Sequence, residues 1–254
     1  MNTDIGGVNA NYRMRGEGPW LLLLHGWGAD LRCFDRIFQE FSSSFKVVAL
    51  DFPGFGLSGD PPGDWGVADY ARFVTEFMDK LGIDRAFLLG HSFGGRVSIK
   101  LASDPAAAGR IEKLVLTGSA GLRRKTTFTR RVRNFIHALL RGAFRFSGLG
   151  RLFPALKERM GRRFASRDYL AATPLMRKCL VKVVREDLAE ALPRITAPTL
   201  LVWGAEDAET PLADGRRMNS LIPGSRLEVL EGAGHFAFLN RPERFGELLK
   251  GFLQ

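Results

Sequence analysis

Apolar residues along this chain gather in short unbroken runs, separated by stretches in which they recur every three or four positions. The runs at 20–24 (WLLLL), 46–50 (KVVAL), 86–89 (AFLL), 113–117 (KLVLT), 199–203 (TLLVW) and 226–230 (RLEVL) have the length and composition of strands. Between them, residues 69–81 space Tyr70, Phe73, Val74, Phe77 and Leu81 so that one face of a helix is apolar, and Gly82 provides its C-cap. Further helices are expected at 95–103 and 242–252. Strands alternating with helices predict an α/β protein, a mostly parallel sheet with helices on both faces. Residues 5–15 show some polar–apolar alternation and end at Gly16-Glu17-Gly18-Pro19, which predicts a hairpin leading into the first run.

One region breaks this alternation. Residues 122–192 contain no strand pattern and read as several helices interrupted by Gly148, Gly150, Pro154, Gly161 and Pro174. The sheet pattern stops at Ser119-Ala120-Gly121 and resumes over 193–198, so residues 1–121 and 193–254 are expected to form the core and 122–192 an inserted helical cap.

Length and composition suit one folded domain with an insertion: 254 residues, 45% apolar and 25% charged. The first stretch is polar and lacks the apolar segment of a leader, and the apolar runs are too short to span a membrane. Two cysteines, Cys33 and Cys179, make neither a disulfide framework nor a metal cluster, which together predicts a cytoplasmic protein. The net charge of +10 is unevenly placed. Residues 121–194 carry 19 Lys and Arg against 5 Asp and Glu, whereas the remainder carries 18 against 22. A slightly acidic body thus bears one strongly basic segment.

The chemistry centres on Gly90-His91-Ser92-Phe93-Gly94, placed directly after a strand and before a helix. In that context G-x-S-x-G puts a serine on a sharp turn that larger flanking side chains would obstruct. A serine hydroxyl needs a base, and the chain has four histidines: His25, His91, His137 and His235. His91 adjoins the serine and is expected to point away from it, while His25 ends a strand and His137 lies in the basic segment. His235, in the Gly-rich loop after the last strand, is the expected base. The base in turn needs an acid, for which Glu206, Asp207 and Glu209 follow the strand at 199–203. Two N–H donors should face the developing oxyanion: Phe93, immediately after the nucleophile, and Trp27 in His25-Gly26-Trp27-Gly28. His25, His91 and Phe236 adjoin these elements and are candidate substrate-binding residues. No metal site is expected.

Together HGWG, DFPGFGLSG (51–59), GHSFGG, WGAEDAETP and GAGHF, in this order and outside the cap, resemble the α/β-hydrolase superfamily. The resemblance implies an eight-stranded, mostly parallel sheet, a lid over the active site and no cofactor. It favours Asp207 as the acid over the two glutamates, and it makes 51–59 a structural loop. Haloalkane dehalogenases and epoxide hydrolases of the superfamily carry Asp at the turn where Ser92 stands, which argues against both activities. The expected function is hydrolysis of a small-molecule carboxylic ester through an acyl-enzyme, by Ser92, His235 and Asp207. A C–C bond hydrolase or thioesterase acting on an anionic substrate is the alternative, and a non-catalytic or membrane-associated binding module the alternative of another class. Within the cap, Arg133, His137, Arg141 and Arg145 recur at four-residue spacing. This stripe fits the solvated outside of a lid, and it would also fit contact with an anionic substrate or anionic lipid; no nucleic-acid motif accompanies it.

Overall fold

The computed structural model describes residues 1–123 and 167–254. The expected basic stripe from Arg133 to Arg145 lies outside them. Contacts divide the chain into one compact unit, Met1–Arg123 with Lys178–Gln254, and a second, Arg124–Arg177.

The first unit is built on eight strands: β1 (Asn2–Ile5), β2 (Val8–Arg15), β3 (Trp20–Leu24), β4 (Lys46–Leu50), β5 (Ala86–His91), β6 (Ile111–Thr117), β7 (Thr199–Gly204) and β8 (Arg226–Leu230). They lie in the order β1-β2-β4-β3-β5-β6-β7-β8. From β4 to β8 all neighbours run parallel, and β1 and β2 add an antiparallel edge. All six sequence-derived strands are present. The N-terminal hairpin begins earlier than its alternation indicates: β1 covers the polar Asn2–Ile5, and Gly6 and Gly7, both at positive φ, make the turn.

The α-helices among the described residues are α1 (Asp35–Phe41), α2 (Val67–Lys80), α3 (Phe93–Ser103), α4 (Arg167–Ala171), α5 (Pro174–Arg185), α6 (Leu212–Leu221), α7 (Ala237–Asn240) and α8 (Pro242–Leu253). The unbroken Leu run of β3 is explained by helices on both faces. Leu22 and Leu24 join a core with α2 and α3, through Tyr70, Phe77 and Val97. Leu21 and Leu23 face the opposite core with α1 and α8, through Phe38, Phe245 and Leu249. A strand covered on both sides has no polar face to display. Removing these side chains from water is the main favourable term in folding, at roughly 1.5–3 kcal/mol per fully buried Leu or Phe.

The sequence pattern places the return to the core at Pro193, but the compact unit resumes at Lys178. Val183, Leu188, Ala191 and Leu192 are buried in the same core as α2 and α3. Lacking strand periodicity, this helical stretch reads like the insertion although it packs as part of the body. In the second unit, the Arg177 guanidinium donates to the Tyr169 carbonyl at 2.8 Å and lies over the Tyr169 ring. No helix among the described residues is long and apolar enough to cross a membrane.

Candidate active site

β5 delivers the chain to Ser92 and α3 begins at the next residue. Ser92 has φ 51° and ψ −108°, making it the one non-glycine residue at positive φ among those described. Such a conformation costs an L-residue energy and persists where the surroundings impose it. They do so here. The Ser92 N–H donates to the Thr117 carbonyl at 3.1 Å, and the Ser92 carbonyl accepts from Arg96 and Ala120. Gly90 and Gly94 supply the clearance: a Cβ on Gly94 would lie 2.0 Å from the Leu24 carbonyl oxygen, and one on Gly90 would lie 2.4 Å from Ser98 Oγ.

At the neighbouring strand ends, the loop after β7 carries Asp207 and the loop after β8 carries His235. The His235 Nδ1–H donates to Asp207 Oδ2 at 2.9 Å. Asp207 is buried, and its Oδ1 accepts from the backbone N–H groups of Glu209 (2.9 Å) and Thr210 (2.8 Å). Burial pushes the Asp207 carboxyl up, but the hydrogen bonds from His235 and from the N–H and hydroxyl of Thr210 outweigh it and hold it below the usual range. Both glutamates of this loop are placed otherwise. Glu206 is exposed, and Glu209 Oε2 lies 3.4 Å from His235 Nε2, the ring nitrogen opposite the one that needs orienting.

Ser92 and His235 converge on the same end of the sheet. The ring of His91, the residue before the nucleophile, packs 4.7 Å from the His235 ring. Among the described residues no hydrogen bond joins the Ser92 hydroxyl to His235. Such nucleophile–base contacts are often long without substrate and tighten in the reacting complex.

The two expected oxyanion donors follow the C-terminal ends of β5 and β3. Phe93 N–H opens α3, and Trp27 N–H lies in the loop after β3. Among the described residues neither donates to a backbone carbonyl. The Trp27 and Phe93 rings meet edge to face at 5.2 Å. A Cβ on Gly26 would lie 3.2 Å from Ser92 Cβ, so this loop runs directly against the nucleophile.

Two of the three candidate substrate contacts are corrected. His25 is completely buried: its Nδ1–H donates to the Gly26 carbonyl at 2.7 Å, and its Nε2 accepts from Phe52 N–H at 3.0 Å. Burial lowers its pKa, so the ring is a neutral brace between two loops. His91 is also buried, and its Nε2–H donates to the His235 carbonyl at 3.1 Å. Burial, with His235 nearby, pushes it down to about 3. Backbone engages both ring nitrogens of His25 and the Nε2 of His91, whose Nδ1 is buried without a hydrogen-bond partner among the described residues; both side chains are buried. Phe236 is half-buried, with its ring 5.4 Å from that of His235.

The loop 51–59 is tied down by a buried carboxylate. Asp51 accepts from Leu31 N–H (2.7 Å), Asn11 Nδ2 (2.7 Å) and Leu57 N–H (2.9 Å), linking that loop to β2 and to the segment after Trp27. Two further residues at the site are not singled out by the sequence, although Thr210 lies within the WGAEDAETP motif. Thr210 contacts Asp207, His235 and the Gly118 carbonyl. Gly118, at φ 49°, lies so close that a Cβ would come within 2.9 Å of the His235 carbonyl oxygen and 3.2 Å of Asp207 Oδ2. No group of three or more His, Cys, Asp or Glu that could hold a metal ion occurs among the described residues.

A parallel sheet whose fifth strand ends in a G-x-S-x-G turn, with Asp and His following in that chain order, defines the α/β class of hydrolases. The chain belongs to the alpha/beta hydrolase fold family, whose model matches residues 19–242. It is 29% identical over 252 residues to a 2-hydroxy-6-oxononadienedioate/2-hydroxy-6-oxononatrienedioate hydrolase of Pseudomonas sp, spanning 94% of this chain and 85% of that protein. To a pimeloyl-(acyl-carrier protein) methyl ester esterase of Neisseria meningitidis it is 29% identical over 256 residues, spanning 91% of this chain and 76% of the other. Among solved structures, an enol-lactonase from Burkholderia xenovorans superposes with a TM-score of 0.76 at 25% identity, covering 100% of this chain and 99% of that one. The chain is therefore a hydrolase, similar to proteins with different substrates.

Proposed function

We propose that this hydrolase cleaves small carboxylic esters through an acyl-enzyme on Ser92, with His235 as general base and Asp207 as the orienting acid. The observation that carries this reading is the buried Asp207 carboxylate bonded to His235 Nδ1, beside a serine held at positive φ. With its proton on Nδ1, His235 has an unprotonated Nε2 to take the Ser92 proton as Oγ attacks the ester carbonyl. The N–H groups of Phe93 and Trp27 receive the negative oxygen of the tetrahedral intermediate. Imidazolium then returns the proton to the departing alcohol, and water attacks the acyl-enzyme by the same route. The ester esterase among the relatives supports the substrate class.

A second reading, cleavage of a C–C bond next to a carbonyl in an anionic substrate, uses the same three residues and is favoured by the relative named for a dioate. Burst kinetics with p-nitrophenyl esters, beside an anionic diketone, separates the two. The ester reading expects a burst of nitrophenol stoichiometric with enzyme and absent from Ser92→Ala. Turnover of the diketone without any ester burst would replace it by the second reading.

A further inference from the structure

Thr210 holds more connections than the roles assigned above require. Its hydroxyl oxygen lies 2.7 Å from Asp207 Oδ2, 2.9 Å from the Gly118 carbonyl oxygen and 3.2 Å from His235 Nδ1. Its own backbone is fixed at both ends: the N–H donates to Asp207 Oδ1, and the carbonyl accepts from Trp203 Nε1 at 2.6 Å. Trp203 is fully buried in β7, so Thr210 is registered against the sheet itself. The Gly118 carbonyl, just past the end of β6, is a second acceptor within reach of the hydroxyl.

Consider what Asp207 needs. The N–H groups of Glu209 and Thr210 both act on Oδ1, and both come from the loop that carries Asp207. They leave Oδ2, the oxygen that must meet His235, free to move with the loop. Among the described residues, the Thr210 hydroxyl is the hydrogen-bond partner of Oδ2 other than His235. We propose that Thr210 is a positioning residue for catalysis: its backbone, fixed by Trp203 Nε1 and Asp207 Oδ1, sets its hydroxyl to donate to Asp207 Oδ2 and hold that oxygen in line with His235 Nδ1, with the Gly118 carbonyl as the alternative acceptor. The inference rests on the reading of Asp207 and His235 as acid and base.

The single hydroxyl proton gives this contact a second property. Asp207 Oδ2 and the Gly118 carbonyl are both acceptors, so the proton serves one at a time. While His235 is neutral, donation to Oδ2 steadies the carboxylate. When His235 takes the Ser92 proton, the hydroxyl can turn its proton to Gly118 and leave Oδ2 to the imidazolium. Its lone pair then faces the Nδ1–H. Valine has the shape of threonine without either ability, whereas serine keeps both.

The test compares Thr210→Val, Thr210→Ala and Thr210→Ser in the intact protein, with ester turnover as one readout and NMR titration of the Asp207 carboxyl carbon as another. Val and Ala are expected to lower kcat about tenfold with KM little changed, the effect of losing one hydrogen bond to a charged group. Ser is expected to restore most of it. Losing a donor favours the protonated carboxyl, so the Asp207 titration moves to higher pH. The groups facing this pair are His235, the neutral His91 ring against it, Glu209 Oε2 near its Nε2, and Glu206 on the same loop. All are retained in the variants, so the displacement belongs to Thr210. Thermal melts of the three variants separate a packing defect from this role. The proposal is overturned if Val leaves kcat and the Asp207 titration at wild-type values, or if Ser is as impaired as Val. Absence of Ser92-dependent turnover in the wild type would sink the functional reading instead, and the carboxyl titration would still decide the Thr210 contact.

Discussion

Replacing Asp207 by asparagine changes one atom, and the surroundings dictate where that atom goes. Oδ1 sits against two backbone donors, Glu209 N–H and Thr210 N–H. The amide oxygen of Asn must take that position, because the reverse orientation would set an NH2 group against both. Two buried donors left unpaired cost about 1–3 kcal/mol each, so the reverse orientation is disfavoured by roughly 2–6 kcal/mol, a factor of about 30 to 10⁴. The NH2 group therefore stands at the Oδ2 position, 2.9 Å from His235 Nδ1. A nitrogen facing an NH2 must accept, which moves the histidine proton to Nε2 and leaves no lone pair there for Ser92. Asp207→Asn is thus expected to lower kcat by about 10²–10⁴, within the range known for such a tautomer trap, with the fold intact. Initial rates on p-nitrophenyl acetate near neutral pH, with circular dichroism melts beside them, measure both. Activity within about tenfold of wild type would refute the tautomer argument and return Glu206 and Glu209 to consideration as the acid.

Gly118→Ala is expected to lower both melting temperature and kcat. A residue with a side chain at φ 49° costs roughly 1–2 kcal/mol, and the added methyl presses on the His235 carbonyl and Asp207 Oδ2; a variant with unchanged rate would show that the pair tolerates displacement. His91 gives a pH prediction. Its folded pKa, about 3, lies below the 6.5 of an unperturbed histidine, so the unfolded chain takes up the proton first as pH falls. The stability it contributes is complete above about pH 6.5 and is lost as pH drops towards 3, up to roughly 5 kcal/mol. In His91→Gln the unfolding free energy should fall less steeply across this window, as denaturant titrations at several pH values would show; equal slopes would mean His91 is not buried in its neutral form.

What the sequence reveals depends on how local the cause is. The Leu run 20–24 announces a strand because both of its faces are covered by helices, and the covering is written into the run itself. The turn at Ser92 is legible because the glycines that make room for it are its near neighbours. β1 is not, since Asn2–Ile5 is polar and owes its strand form to pairing with β2. The short α1 and the polar α6 likewise carry no long apolar stripe. His25 and His91 show the opposite failure: adjacency to the oxyanion loop and the nucleophile suggests ligand contact, but both rings are buried and distant backbone groups, Phe52 N–H and the His235 carbonyl, engage the Nε2 of each. Thr210 and Gly118 are illegible for the same reason. They meet at 2.9 Å from 92 positions apart, and no motif in a single sequence records that meeting. The acid itself could be chosen over its glutamate neighbours only by resemblance, whereas the geometry separates them by which ring nitrogen each one reaches.

In the proposed reaction Ser92 becomes acylated with His235 as its base. The most direct measurement treats the intact protein with a fluorophosphonate and maps the adduct by peptide mass spectrometry. One stoichiometric adduct is expected, on the peptide carrying Ser92, absent from Ser92→Ala and strongly slowed in His235→Ala. No adduct on the wild-type protein, or an adduct that persists in Ser92→Ala, would contradict it.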